Sequence, residues 1–349
     1  MLPSQADSFM KVKGIASNGS VQLESGAHFG LKNGSRYMML NAKSLLDAPS
    51  EYWIDTKAHK LFFIPPEGAD VSDPSGQGAF LSQAQTAHTM NGSSSIVLRG
   101  LRLEYAQGQA LLAHNVSNVT IENCTISNAG TNGVELSGSG STLSGCDIYD
   151  VGCSAVHVDG GDIPSLTSGN LTIHNNTLHR FARVSRTLRV GVKWSGCGNV
   201  ISANEVFDAP QIGMIGGGVN MLFEDNDLHD LAKGSSDTGG FYAGRTWADR
   251  GNVVRRNKFR RFYQVEKMAQ HTSVNGIYLD DMEAGWLVED NYFESIHDCM
   301  FIGGGRQNVV RGNTFVNCTV PVHVDDRGMG WMGCEQSRFA LRTLDYYIQ

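Results

Sequence analysis

The chain has 349 residues, a formal net charge of −7, 41 glycines, 8 prolines and 7 cysteines. That negative balance argues against a nucleic-acid partner or an anionic membrane surface, and no apolar run approaches the length of a membrane span. The cysteines, at 124, 146, 153, 197, 299, 318 and 334, include no CxxC pair, so a structural zinc site is not expected.

In chain order, the N-terminus MLPSQADSFMKVKG lacks the apolar core of a signal peptide and reads as though a longer N-terminus were missing. Further on, EYWIDTKAHKLFFIPPEG reads as two aromatic-rich strands around a TKAHK turn, closed by prolines. Residues 1–90 are therefore expected to form a small β-rich subdomain that caps the next segment of the chain.

Residues 91–333 carry an irregular internal repeat. VTIENCTI, STLSGCDI, LTIHNNTL, VISANEV, LFEDNDL, VVRRNKF, LVEDNYF and VVRGNTF each read as a strand, a small turn residue and a second strand. Cys124, Cys146, Asn176, Asn204, Asn226, Asn257, Asn291 and Asn313 share the turn position, never fewer than 22 residues apart. A weaker copy places Leu101 there. This spacing predicts an all-β solenoid of three-strand coils, stacked about 4.8 Å apart into parallel sheets. Stacked asparagines would bond to one another and to backbone, a structural role that needs no catalysis. Cys124 and Cys146 sit in adjacent coils at a separation that permits a disulfide; two stacked buried thiols are the simpler reading.

A third strand closes each coil. In GVELSG, AVHVDG, GVKWSG, QIGMIG, GFYAGR, GIYLDD, MFIGGG and PVHVDD, period two sends the second and fourth residues inward and the third and fifth outward. The outward set then includes His157, Asp159, Lys193, Ser195, Tyr242, Tyr278, Asp280, Ile302, Gly304, His323 and Asp325. Insertions at 161–170, 182–189, 231–238 and 264–273 flank this strand and would wall a groove over its sheet. Asp159, in a quiet coil, reads as a solvated surface acid.

Asp280 and Asp325 differ, because they share one column with a single coil between them. Two coils give roughly 9.6 Å between their Cα atoms, adjustable by rotamer. Carboxyl pairs about 6.5–9.5 Å apart suit inverting glycoside hydrolysis, and pairs about 5–5.5 Å apart suit retention. Gly304 between them would leave floor space for a sugar ring. Asp281 and Asp326, at the adjoining turns, either buttress the pair or replace a member of it. Asp237, Tyr242, Arg245, Tyr278, Arg306, His323, Arg327 and Trp331 supply polar and aromatic groups for substrate binding. Trp247 reads equally as core or cleft, and His271 as a surface residue. LDDMEAG and VDDRG lack the alternate-acid spacing of a calcium loop, so no cofactor is expected and Ca2+ is weakly supported.

SDTGGFYAGRTWADRGNVVRRNKF, GIYLDD, FIGGGRQNVVRGNTF and VHVDDRGMGW carry a family resemblance over roughly residues 92–330. The chain resembles the right-handed parallel β-helix proteins of the pectate-lyase-like superfamily. Within them it is similar to bacterial β-helical carbohydrate enzymes related to glycoside hydrolase family 141, which includes α-L-fucosidases and xylanases. The aromatic hairpin before the repeat is similar too. The resemblance implies secreted action on a polysaccharide or oligosaccharide, with a catalytic aspartate pair carried onto Asp280 or Asp281 and Asp325 or Asp326. Residues 334–349 read as a C-terminal tail where relatives continue. The expected protein is a monomeric glycoside hydrolase with neither nucleic acid nor membrane as a partner. A polysaccharide lyase, for which Lys193, Arg245, Arg306 and His323 are available, ranks second. A non-catalytic carbohydrate-binding protein is the third reading. The sequons at Asn18, Asn33, Asn91, Asn115, Asn118, Asn123, Asn170, Asn175 and Asn317 read slightly better as accidents of an Asn- and Ser-rich turn sequence than as glycan acceptors.

Overall fold

The structure, a computed structural model, describes residues 7–27, 30–31, 33–34, 37–71, 80–262 and 274–327. From His88 onward the chain winds through short strands whose equivalents stack into three parallel sheets. The first sheet runs from Val97–Arg99 to Val309–Arg311, and the second from Arg102–Glu104 to Thr314–Val316, each with nine strands. The third runs from His88–Asn91 to Val320–Asp325, with Thr167–Ser168 pairing antiparallel to Val156–Asp162 at its side. The expected solenoid of three-strand coils is the observed fold, a parallel β-helix.

Register explains its stability. In the first sheet Ile121, Leu143, Ile173, Ile201, Phe223, Val254 and Val288 pair in one file, and all are buried. In the second sheet the file ends in stacked rings, Phe259 to Phe293 and Phe293 to Phe315, each 5.0 Å between centroids. Each fully buried aliphatic or aromatic side chain contributes about 1.5–3 kcal/mol, and the coil repeats that gain along its length.

The asparagines form the expected ladder. Asn176, Asn204, Asn226, Asn257 and Asn291 each donate from Nδ2 to Oδ1 of the next, over 2.9–3.0 Å, ending at Asn313. The backbone N–H of each also donates to that same oxygen. Asn257→Ala removes donors to Phe223 O and Asn291 Oδ1 and an acceptor for Asn226. We expect it to cost about 1–3 kcal/mol in chemical denaturation; a neutral substitution would contradict the ladder's role.

Cys124 and Cys146 continue the column as buried free thiols, with Cys124 N–H donating to Cys146 Sγ at 3.4 Å. Burial pushes the Cys146 thiol up to about 12. The disulfide of the described chain instead joins Cys299 to Cys318, a pairing the sequence did not suggest. Six of the sequon asparagines (115, 118, 123, 170, 175 and 317) adopt left-handed backbone with φ 51–53°. Asparagine tolerates that region better than most residues, so turn geometry gives these positions a reason to be asparagine.

The chain divides into two compact units, Met1–Leu31 with Gln83–Gln349, and Lys32–Ser82. In the smaller unit Tyr52–Asp55 and Lys60–Phe63 form the expected antiparallel hairpin, with Trp53 opposite Phe62 and their rings stacked at 5.1 Å. No helix among the described residues is long and apolar enough to cross a membrane.

Candidate active site

The outward face of the third sheet carries a file of rings at its C-terminal end. Tyr242, Tyr278, Phe301 and His323 pair across successive strands, with centroids 5.3, 4.9 and 4.7 Å apart in edge-to-face geometry. Phe301 corrects one expectation. The register pairs Tyr278 with Phe301 and Gly303 with Asp325, so the coil between the two aspartates presents Phe301 and Gly303, not Ile302 and Gly304. Cys299 to Ile302 are all apolar, so alternation gave no phase there. Met300 and Ile302 take the inward slots because the ring of Phe301 fits between Tyr278 and His323.

The glycine between the acids has another purpose than the one expected. A Cβ on Gly303 would lie 3.2 Å from Arg327 Cδ and Nε, and 2.9 Å from Asp281 N. The space over that glycine is filled by Arg327. Gly303→Ala is therefore expected to displace Arg327 and loosen the acids it holds, which a crystal structure of the variant would show directly; an unmoved guanidinium would refute this.

Arg327 is the hub of the site. Its Nη1 donates to Asp280 Oδ1 at 2.6 Å and to Asp281 Oδ1 at 2.8 Å, and its Nη2 to Asp325 Oδ2 at 3.0 Å. Its guanidinium also lies 4.8 Å from the centroid of Phe301. Asp280 Oδ2 accepts from Tyr242 Oη at 2.8 Å, Asp281 Oδ2 accepts from Arg245 Nε at 3.0 Å, and Tyr278 Oη donates to Asp237 Oδ1 at 3.1 Å. Asp237 belongs to the 231–238 insertion, so that insertion does border this sheet. Arg189, of the 182–189 insertion, acts electrostatically on His157 of the same sheet. Residues 264–273, with His271, lie outside the described residues.

Environment separates the two aspartates of the column. Asp280 is 6% exposed, and burial together with the charge of Asp281 raises its carboxyl, against the opposing pull of Tyr242 and Arg327. Asp325 has a more open side chain, and its bond from the Arg327 side chain, helped by the Arg327 backbone N–H at 2.6 Å, lowers it. Burial, with the nearby charge of Asp280, also raises both Tyr242 and Tyr278, so both phenols stay protonated as donors. The turn after Asp280 holds Asp281 and Met282 at φ 41° and 67° in succession. Left-handed non-glycine residues cost about 1–3 kcal/mol each and persist where surrounding contacts over-determine them.

Of the remaining sequence candidates, His323 lies exposed against Phe301, and exposed Arg306 sits 5.5 Å over the half-buried ring of Trp247. Asp326 is exposed, and no ion pair among the described residues joins it to the cluster. Trp331 lies outside the described residues. Asp159 accepts a bond from Ser195 Oγ at 2.7 Å and lines an open, polar cavity with His114 and Ser137, at the other end of the sheet. Sequence reasoning missed the hub role of Arg327 and the buried acids Asp249 and Glu283 behind the 281–285 turn. Among the described residues, no group of three or more His, Cys, Asp or Glu side chains is arranged to hold a metal ion.

Fold and repeat together define a right-handed parallel β-helix protein. The right-handed β-helix region model matches residues 87–183 and 163–332, more than half of the sequence, and the chain belongs to that family. No curated protein matches it in sequence. Among solved structures it is similar to a glycoside hydrolase at 17% identity, with a TM-score of 0.62 over 80% of this chain. The chain spans 57% of that hydrolase's length. It also matches the A-module of the Azotobacter vinelandii mannuronan C-5 epimerase AlgE4, at 12% identity and TM-score 0.41 over 66% of this chain and 62% of that one. A third match is a complex of XylC with xylose, at 12% identity and TM-score 0.34, covering 57% of this chain and 38% of the other. At such identities the likeness is one of fold.

Proposed function

We propose that the protein is a carbohydrate-active enzyme that cleaves glycosidic bonds of a polysaccharide, with Asp280 as general acid and Asp325 as general base or nucleophile. The observation that carries this reading is the opposite perturbation of two aspartates on one outward column of the third sheet. Burial and Asp281 push Asp280 up, while Arg327 draws Asp325 down. Two carboxyl groups whose environments drive their pKa values apart are the pattern that acid–base cleavage of a glycoside requires. Asp281 and Arg245 hold the turn, and Tyr242 fixes the carboxyl of Asp280. The open end of the ring file at His323 and exposed Arg306 over the half-buried Trp247 offer surfaces for sugar C–H faces and hydroxyls. The fold shared with a solved glycoside hydrolase is consistent with this reading. The Cys299–Cys318 disulfide supports action outside the reducing cytosol.

A uronate lyase needs a free cation or metal to neutralise the substrate carboxylate. Here Arg327 and Arg245 are already engaged by the aspartates, which favours hydrolysis, while exposed Arg306 over Trp247 keeps the lyase as the second reading. Incubation with neutral and uronate glycans tests this. New reducing ends without ultraviolet absorbance of an unsaturated product support hydrolysis. Absorbance supports the lyase, and tight binding of a glycan without turnover supports a binding protein.

A further inference from the structure

Behind the 281–285 turn lies a pair of acids that the proposed chemistry does not use. Glu283 is 0% exposed and Asp249 5% exposed, and their carboxyl groups lie within hydrogen-bonding reach of one another. Glu283 Oε1 accepts from Trp286 Nε1 at 2.7 Å and Oε2 from Thr246 N at 3.2 Å, while Asp249 Oδ2 accepts from Gly218 N at 3.0 Å. Asn308, from the following coil, donates to Glu283 O at 2.8 Å. Every one of these donors is neutral. The nearby cations are turned elsewhere: Arg245 and Arg327 to the Asp280–Asp281–Asp325 cluster, Arg306 over Trp247, and Arg250 to solvent. Asp280 and Asp281, on Glu283's own segment, add no positive charge. Two carboxyl groups in contact, without a cation, cannot both ionise in such a site.

The pair also ties together the two segments that carry Asp281 and Arg245. Thr246 N–H donates to Glu283 while Thr246 O accepts from Ala284 N at 3.1 Å. Gly285, at φ 78°, packs so closely on Asp249 that a Cβ there would lie 2.1 Å from its carbonyl oxygen. Arg245 N–H donates to Asp280 O at 3.2 Å, at the edge of the same clamp.

We propose that Asp249 and Glu283 hold one shared proton, and that the protonated pair is the latch positioning Arg245 and Asp281. The two acids are positioning residues, and the inference stands whether or not the cluster cleaves a glycan. Burial raises both groups. A group raised on folding stabilises the fold fully below its unfolded value, near 4 for a carboxyl, and loses that contribution as pH rises through its folded value. The latch therefore weakens toward alkaline pH.

Two side-chain N–H resonances test the proposal in the full chain: the Trp286 indole, assigned with Trp286→Phe, and Arg245 Nε–H. In the wild type both are expected to shift together in one step, well above the ordinary carboxyl range, with a parallel fall in Tm. In Asp249→Asn the amide can donate to Glu283 and still accept from Gly218, so the remaining titration of Glu283 should move to lower pH in both resonances. A Trp286 shift near pH 4, no shift up to pH 10, or steps at different pH for the two resonances would overturn it. So would a step that stays at the wild-type pH in Asp249→Asn. If that variant does not fold, the wild-type titration still decides.

Discussion

Asp325→Asn is expected to lower kcat by about 10²–10⁴-fold, the loss that accompanies removal of a positioned acid or base. The amide keeps the shape of the carboxyl and can still face Arg327, but it can neither accept a proton nor attack a sugar carbon. Stability should change little, because the Asp325 side chain is 28% exposed and its ion pair is partly screened. The signature is a fall in kcat with a nearly unchanged KM and unchanged denaturation. Unchanged kcat on a glycan that the wild type cleaves would contradict the assignment.

Arg327→Met should have the largest effect on folding. Arg327 faces Asp280, Asp281 and Asp325 at once, and its own side chain is only 14% exposed. Removing the cation leaves Asp280 and Asp281, 6% and 4% exposed, without their shared partner. Breaking a buried ion pair from one side costs about 3–5 kcal/mol. Arg327→Lys should recover only part of this, because an ammonium cannot reproduce the planar fork that meets three carboxylates. The stranded carboxyl groups of the Met variant would be raised above their unfolded values. Its deficit should therefore shrink as pH falls below about 4, where the unfolded acids are also protonated. A variant as stable as the wild type at neutral pH would show that Arg327 does not hold the cluster.

How much of this was legible differs from element to element. The Asn176–Asn313 ladder could be read because one residue type recurs at one turn of each coil. The inward files could be read because alternation has a phase wherever polar residues interrupt it. Where Cys299, Met300, Phe301 and Ile302 run together there is no phase, and the register was misplaced by one residue. The shared face of Asp280 and Asp325 came from period two, but the arginine between them did not. Arg327 lies beyond the strand in sequence and returns over Gly303, a path set by the turn and not by periodicity. The Asp249–Glu283 contact joins residues of successive coils through a buried turn, and neither acid differs in sequence from a surface acid. The Cys299–Cys318 bridge was hidden for a similar reason, since cysteine spacing alone does not fix which thiols meet.

The central claim is that Asp280 and Asp325 act together on one glycosidic bond. The most direct measurement is a crystal structure of Asp325→Asn soaked with an oligosaccharide that the wild type cleaves. The expected result places the scissile glycosidic oxygen within hydrogen-bonding distance of the Asp280 carboxyl, with the anomeric carbon on the side of residue 325. A sugar chain bound over another sheet, or along this sheet with no glycosidic bond near Asp280, would contradict it.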